Sequence, residues 1–356
     1  SYLDMTSGIG VLALGHNSDV VQHAIEEAAG GLVHVSNLYH TAAPVMLAKG
    51  LVECSFADRV FFCNSGAEAV EGAIKFARLA GGERRSTIVY FSGSFHGRTL
   101  GALAATDRPA YREPFEPLAQ GFIRAPFNDE DGLAAIDDSV AAVLVEPIQG
   151  ESGVHVAQDD WLRALRARCN ATGALLIFDE VQCGLGRTGH LWAHEWPRVQ
   201  PDMMTLAKPL AGGLPIGAVL MRENVADAIR PGCHGTTFGG GPLVTRVGLR
   251  VLQRIQEPGF LDEVRHKGEM LRRMLARLDS PLVHEIRGRG LMIGIQVDVS
   301  SADIVRCAAE VGLLILPAGD DVIRLLPPLN VTKDELGRAV LLLHEALDTA
   351  ESELDR

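Results

Sequence analysis

The sequence predicts an α/β protein: a large domain whose mostly parallel central sheet is covered by helices, followed by a smaller α+β domain. Three features lead there. Short, almost wholly apolar runs recur at residues 59–63, 87–91, 142–145, 174–178, 203–207 and 218–221, and they do not alternate apolar with polar, as expected of parallel strands covered on both faces. They are separated by polar or glycine-rich turns and helical patterns, the rhythm of crossover connections. After about Pro242 that rhythm gives way to helical patterns and the runs 285–297, 313–316 and 322–326. A last helix begins at Thr332, with Glu335 at capping-box spacing. The expected division is an N-terminal segment 1–40 packing with the small domain, a large domain 41–245 and a small domain 246–356.

Composition narrows the function class. A chain of 356 residues, 47% apolar and 22% charged, is an ordinary globular protein with room for two cores. Its 33 basic against 45 acidic side chains give a net charge of −12, which speaks against nucleic-acid or membrane-surface binding and for small-molecule work. The six cysteines show no CxxC spacing, so reduced thiols and a cytoplasmic setting are expected. No apolar run approaches a membrane span. The opening Ser1-Tyr-Leu-Asp-Met-Thr-Ser-Gly8 reads as folded structure rather than a leader.

The chemistry follows the strands. After the successive runs come Asn64-Ser-Gly-Ala-Glu68, Ser94-Phe-His-Gly-Arg98, Glu146 to Glu151, Asp179 to Gln182, and Lys208. Ligands of an open parallel sheet sit outside the carboxyl ends of its strands, so these clusters are expected to share one crevice. Lys208, directly after an apolar strand and before a Gly-Gly turn, is poorly explained as a solvated surface lysine. It suits the covalent anchor of an aldehyde cofactor. Asp179 closes the run Leu175-Leu-Ile-Phe-Asp179; a buried carboxylate needs a cation, and a pyridinium nitrogen or an arginine would serve. Gln182 is either a loop amide or a partner for a phenolic oxygen.

Ser65 and Glu68 have capping-box spacing ahead of Val70, Ala73, Ile74 and Ala77, which follow the helical period. The start of that helix also offers free N–H groups to a phosphate. Carboxylate substrates call for cations, and Arg98 and Arg324 are the candidates, the latter set among apolar residues before Pro327-Pro328. Tyr39 either lines the pocket or packs in the core.

Two patterns point elsewhere. Gly184-Leu-Gly-Arg-Thr-Gly189 fits GxGxxG and would suggest a nicotinamide oxidoreductase, but no long helix follows and no acidic strand end appears about twenty residues on. His190 and His194 stand four apart, a metal-ligand spacing, but no third ligand is evident, so no metal is expected.

The segments Phe61-Phe-Cys-Asn-Ser-Gly-Ala-Glu-Ala69, Ser94-Phe-His-Gly-Arg-Thr99, Val145-Glu-Pro-Ile-Gln-Gly-Glu151, Ile177-Phe-Asp-Glu-Val-Gln182, Leu206-Ala-Lys-Pro209, His234-Gly-Thr-Thr-Phe-Gly-Gly240 and Ile323-Arg-Leu-Leu-Pro-Pro328 together resemble the class III aminotransferases, from end to end of the chain. Within that family the acetylornithine enzymes are most similar. The resemblance implies the pyridoxal-phosphate transferase fold of type I and a homodimer with shared active sites. It makes Lys208 the residue that holds the cofactor and moves the substrate proton, and Asp179 the partner of the ring nitrogen. Phe95 stacks on the ring beside His96, Gln182 reaches the phenolic oxygen, and Ser65, Gly66 and Ala67 form the phosphate site, which Thr236 and Thr237 complete from the other subunit.

On the substrate side it implies Arg324 for the α-carboxylate of glutamate, Glu151 as that arginine's partner when glutamate is absent, Arg98 near the far carboxylate of an ω-amino substrate, and Glu146 and Tyr39 in the pocket. The implied reaction is transamination of the ω-amino group of N-acetylornithine, or a related ornithine or lysine derivative, with 2-oxoglutarate, as in arginine biosynthesis. Val70, Cys183 and Gly241 stand where those enzymes commonly carry Asn, Thr and Asn. Ornithine, succinylornithine, carrier-linked lysine and 4-aminobutyrate therefore stay open as donors. A non-catalytic, cofactor-binding amine sensor is the remaining alternative, disfavoured by the presence of both Lys208 and Asp179.

Overall fold

The computed structural model describes residues 1–354. Its central sheet has seven strands, β1 (Arg59–Cys63), β2 (Thr87–Phe91), β3 (Phe122–Ala125), β4 (Val140–Val145), β5 (Leu175–Asp179), β6 (Met203–Leu206) and β7 (Gly217–Met221), in the order β1-β7-β6-β5-β4-β2-β3. The run at 218–221, expected to be parallel, is antiparallel to both its neighbours. The link from Leu206 to Gly217 is too short for the crossover that a parallel return requires. The edge strand β3 escapes the sequence reading because Ile123 and Arg124 are exposed and it lacks an apolar run.

The wholly buried β4 shows why alternation is absent. Ala142 and Leu144 pack on one face, against Val70, Ala73, Ile74 and Ala77 of helix Gly66–Gly81. Val143 and Val145 pack on the other, against Trp161, Leu162 and Leu165 of helix Asp159–Thr172. Both faces are dry, so both residue sets must be apolar. On this second face Met204, Leu206 and Leu220 meet Val247, Val251 and Leu252 of helix Pro242–Ile255, and that core runs on without a break into the C-terminal part of the chain.

There a second, antiparallel sheet forms from β8 (Val283–Arg289), β9 (Met292–Val297), β10 (Leu316–Pro317) and β11 (Val322–Leu325), in the order β8-β9-β11-β10. The run at 285–297 is thus a hairpin, turning at Gly290 with φ +55°. Leu313–Leu314 leaves this sheet and pairs instead with Leu3–Asp4. The opening segment is tied to β11 and its sequel by Leu326 N donating to Met5 O (2.7 Å), Leu329 N to Ala13 O (2.8 Å) and Ser7 Oγ to Leu326 O (2.6 Å). The last helix, Lys333–Leu354, starts on a complete capping box: Glu335 N donates to Thr332 Oγ1 (3.2 Å) and Thr332 N to Glu335 Oε2 (2.7 Å). Among the described residues no helix is long and apolar enough to cross a membrane.

Two glycines separate packing from propensity. A Cβ on Gly217 would run into the backbone oxygen of Ser65, whereas one on Gly337, within the last helix, would meet nothing within 4 Å. Gly217→Ala is expected to lower unfolding stability by about 1–3 kcal/mol through overpacking. Gly337→Ala should raise it by roughly 0.5–1 kcal/mol through helix propensity. Denaturant melts of both variants check the opposite signs.

Candidate active site

Because β1, β2, β4, β5 and β6 point the same way, the residues following them meet at one edge of the sheet. Asp179, the last residue of β5, is 4% exposed. Its Oδ2 lies 2.7 Å from His96 Nδ1, and its Oδ1 accepts from Thr205 Oγ1 (3.0 Å) and Val181 N (3.1 Å). Thr205 faces it in the sheet register, so the lone hydroxyl in the apolar run Met203-Met-Thr-Leu206 was the signal for this contact. His96 is itself buried, and its Nε2 has no partner among the described residues. Its loop is anchored by His96 N donating to Thr106 Oγ1 (2.9 Å) and Phe95 N to Glu146 Oε1 (2.8 Å).

Lys208 opens a short 3-10 turn directly after β6. Its ammonium makes no ion pair among the described residues, although Glu151, Arg324, Asp179 and Glu146 all act on it. Burial holds its pKa below the ordinary lysine value, because the charged form loses water that no single partner replaces. Burial also pushes Glu146 well above the carboxylate range, and the neighbouring Asp179 charge adds to it. Glu146 faces inward on the Phe95 and Gly150 amides, so the structure gives it a place under the loops rather than an open face toward substrate.

Arg324, on β11, is 2% exposed and reaches in from the second sheet. Its Nη1 donates to Glu151 Oε1 (2.7 Å) and to Gln182 Oε1 (2.9 Å), while Gln182 Nε2 donates to Glu151 Oε1 (3.1 Å). Burial alone would raise the Glu151 pKa, but the Arg324 charge overrides it and holds the carboxyl low. The sequence reading paired Glu151 with Arg324; it missed that Gln182 joins them.

At the start of helix Gly66–Gly81, Ser65 Oγ caps Glu68 N (3.1 Å), while the Glu68 carboxylate turns back to Asn64 N (2.7 Å) rather than to the capping serine. The N–H groups of Gly66 and Ala67 have no partner among the described residues. Gly66 lies against Val181, where a Cβ would stand 2.9 Å from Val181 Cγ1, and a Cβ on Gly97 would stand 3.0 Å from that of Ala67. Small residues thus bring the helix start, the Phe95 loop and the turn after Asp179 together.

Four predicted residues stand apart. Arg98 is exposed, its guanidinium carbon 3.4 Å from the centre of the Tyr111 ring and 5.7 Å from that of Phe95. Tyr39 is 73% exposed. With Thr236 and Thr237 it lines a cavity of about 330 Å³. Thr236 Oγ1 accepts from Asn64 Nδ2 (3.1 Å), which joins that cavity to the helix start.

The competing motifs resolve into structure. Segment 184–189 is a turn, with Gly186 at φ +88° and Gly189 at φ +87°, followed only by the 3-10 turn Ala193–Glu195. His194 Nδ1 meets Glu180 Oε1 (2.8 Å) and His190 Nδ1 meets Glu195 Oε2 (3.2 Å), so the two histidines serve different carboxylates.

Known proteins resemble this chain in sequence and in structure. The chain is 48% identical to an acetylornithine aminotransferase of Methanocaldococcus jannaschii, over 97% of this chain and 88% of that protein. It is 50% identical to a mitochondrial acetylornithine aminotransferase of Alnus glutinosa, over 97% and 79%. Among solved structures, an ornithine aminotransferase of Toxoplasma gondii, with PLP at partial occupancy in its active site, matches with TM-score 0.94 and 32% identity, covering 100% of this chain and 88% of that one. An N-acetylornithine aminotransferase of Stenotrophomonas maltophilia matches with TM-score 0.86 and 39% identity, covering 99% and 92%. The family model for class III aminotransferases matches residues 1–347, and with the lysine, the buried aspartate and the arginine gathered at one sheet edge, this chain belongs to that family.

Proposed function

We propose that this protein transfers the ω-amino group of N-acetylornithine to 2-oxoglutarate, with pyridoxal phosphate held in the crevice beside Lys208. The observation that carries the reading is the half-buried Lys208, without an ion pair among the described residues, set among Asp179, Glu146, Glu151 and Arg324. The choice of N-acetylornithine rests on the relatives of that name at 45–50% identity over nearly the whole chain.

The donor set fits the cofactor. The unpartnered N–H groups of Gly66 and Ala67 suit a phosphate, and the buried Asp179 suits a protonated ring nitrogen. When bound, pyridoxal phosphate supplies an aldehyde carbon that takes up the amino group and a ring that withdraws electrons from the adjacent carbon. The chain's residues do the rest. Lys208 Nζ, with its pKa lowered by burial, takes the proton from the substrate carbon bearing the nitrogen and returns it. Asp179, fixed by His96 and Thr205, would hold the protonated ring nitrogen. Arg324 takes the α-carboxylate of glutamate or 2-oxoglutarate, and Glu151 covers that guanidinium when the pocket holds the other substrate.

A homodimer and a cytoplasmic setting belong to the same reading. The exposed apolar Leu38, Tyr39 and Phe238, close to Thr236 and Thr237, are the face we assign to the second copy. The six free thiols fit a reducing compartment.

Purified protein with pyridoxal phosphate, N-acetylornithine and 2-oxoglutarate should form glutamate, and the same assay with ornithine, succinylornithine and 4-aminobutyrate ranks the donors. Absence of glutamate with every donor would refute the reading. Lys208→Ala should lose at least roughly 10² to 10⁴ in rate. In the cofactor-free protein, Lys208 binds its proton less readily when folded than when unfolded. The Lys208 contribution to stability should therefore rise with pH in the range just below the ordinary lysine value of 10.5, against the opposite contribution of the cysteines whose pKa values folding raises. Lys208→Met should lack that part of the slope, as read by melts across pH. Thr236→Val should lower cofactor affinity in proportion to a lost hydroxyl contact, about 1.5–3 kcal/mol. A fully active monomer at high dilution would overturn the shared-site part.

A further inference from the structure

We infer that Gln182 sets the balance of the arginine gate: its side-chain amide, clamped between Glu151 and Arg324, determines how readily the carboxylate of a substrate displaces Glu151, and so how the pocket divides its preference between its two substrates. This deepens, and rests on, the aminotransferase reading above.

Gln182 is 6% exposed and closes a triangle. Arg324 Nη1 donates to both Glu151 Oε1 and Gln182 Oε1, and Gln182 Nε2 donates to that same Glu151 oxygen. The amide has one workable orientation, with its oxygen toward the guanidinium and its NH₂ toward the carboxylate, since the reverse sets like partial charges together. Two further features matter.

The Glu151 contact with the guanidinium is single. Nη2 has no partner among the described residues, and Nε is buried without one. A contact of one Nη with one oxygen is weaker than the bidentate fork that a free carboxylate can form, so Glu151 is held in part by the amide. Gln182 itself, in contrast, is 6% exposed and hemmed in on one side. Gly150 packs directly on its amide, where even a Cβ would overlap Oε1, and Met292 closes the same side. Glu151, 27% exposed at its side chain, is the member with room to move.

The consequence is a graded control by charge. A carboxylate fixed at position 182 would stay on Arg324 and close it to a substrate carboxylate. An apolar side chain of the same length would release the second hold on Glu151 and make displacement easier. Gln182→Glu should therefore raise KM for 2-oxoglutarate at least tenfold, and Gln182→Met should lower it several-fold.

The test is single-turnover spectroscopy of the purified holoenzyme in each half-reaction, with 2-oxoglutarate or glutamate on one side and N-acetylornithine on the other. Whatever rate both variants lose in common, the ratio of kcat/KM for N-acetylornithine to that for 2-oxoglutarate should rise in Gln182→Glu and fall in Gln182→Met. Shifts in the same direction, or an unmoved ratio, would reduce Gln182 to a structural amide and overturn the inference. If wild type reacts with 2-oxoglutarate and glutamate but not with N-acetylornithine, the donor assignment fails while the opposite KM shifts for 2-oxoglutarate still decide the role of Gln182. A wild type inert toward both substrates would sink the functional reading and this inference with it.

Discussion

The structure turns on the cost of keeping a half-buried amine without giving it a partner. A salt bridge would stabilise Lys208 and at the same time remove it from chemistry, since an ion-paired ammonium holds its proton more tightly. The fold avoids this by engaging every neighbouring carboxylate elsewhere. Asp179 is taken by His96, Thr205 and a backbone amide, Glu151 by Arg324 and Gln182, and Glu146 by the Phe95 and Gly150 amides. Burial then drives Glu146 toward its neutral form, so Asp179 and Glu151 are left to balance Arg324 and the lysine. No single contact offsets the desolvation of Lys208; the distributed field of the crevice does.

Such a crevice requires side chains from distant parts of the chain to be placed within a fraction of an ångström, and the sheet does that placing. The carboxyl ends of five co-directional strands deliver Asn64, Ser94, Glu146, Asp179 and Lys208 to one edge, while Arg324 arrives from the second sheet. The two sheets share an unbroken apolar core, so the guanidinium is carried on a rigid support and not on a loop.

Much of this was legible in the sequence because burial leaves a trace in residue type. Lys208 and Asp179 stood out as charges abutting apolar runs, and Arg324 as a charge among apolar residues before paired prolines. The reading failed where the determining quantity was distance along the chain or the placement of side chains in space. Residues 218–221 look like any buried strand, and only the short link before them fixes their direction. Tyr39 carries no sign of sharing a cavity with Thr236 and Thr237, because the sequence does not say which surfaces a loop crosses. For Gln182, read as a loop amide or a partner for the phenolic oxygen, the structure adds the Glu151 carboxylate and the Arg324 guanidinium as partners, which residue type alone does not select.

The reversal of β7 gives the lysine its setting. Having passed Lys208 at the edge of the crevice, the chain turns through Gly212 and Gly213, both in the left-handed region at φ +56° and φ +117°, and runs straight back between β6 and β1. That return seats Gly217 against Cys63 and beneath the Ser65 carbonyl, so the strand leaving the lysine turn supports the helix start where the Gly66 and Ala67 amides are free. A parallel strand reached by a crossover helix would have entered the sheet from its opposite edge and put its first residue far from Ser65. The antiparallel return is thus what couples the position of the amine to that of the anion-binding helix start, and a side chain at Gly217 would separate the two.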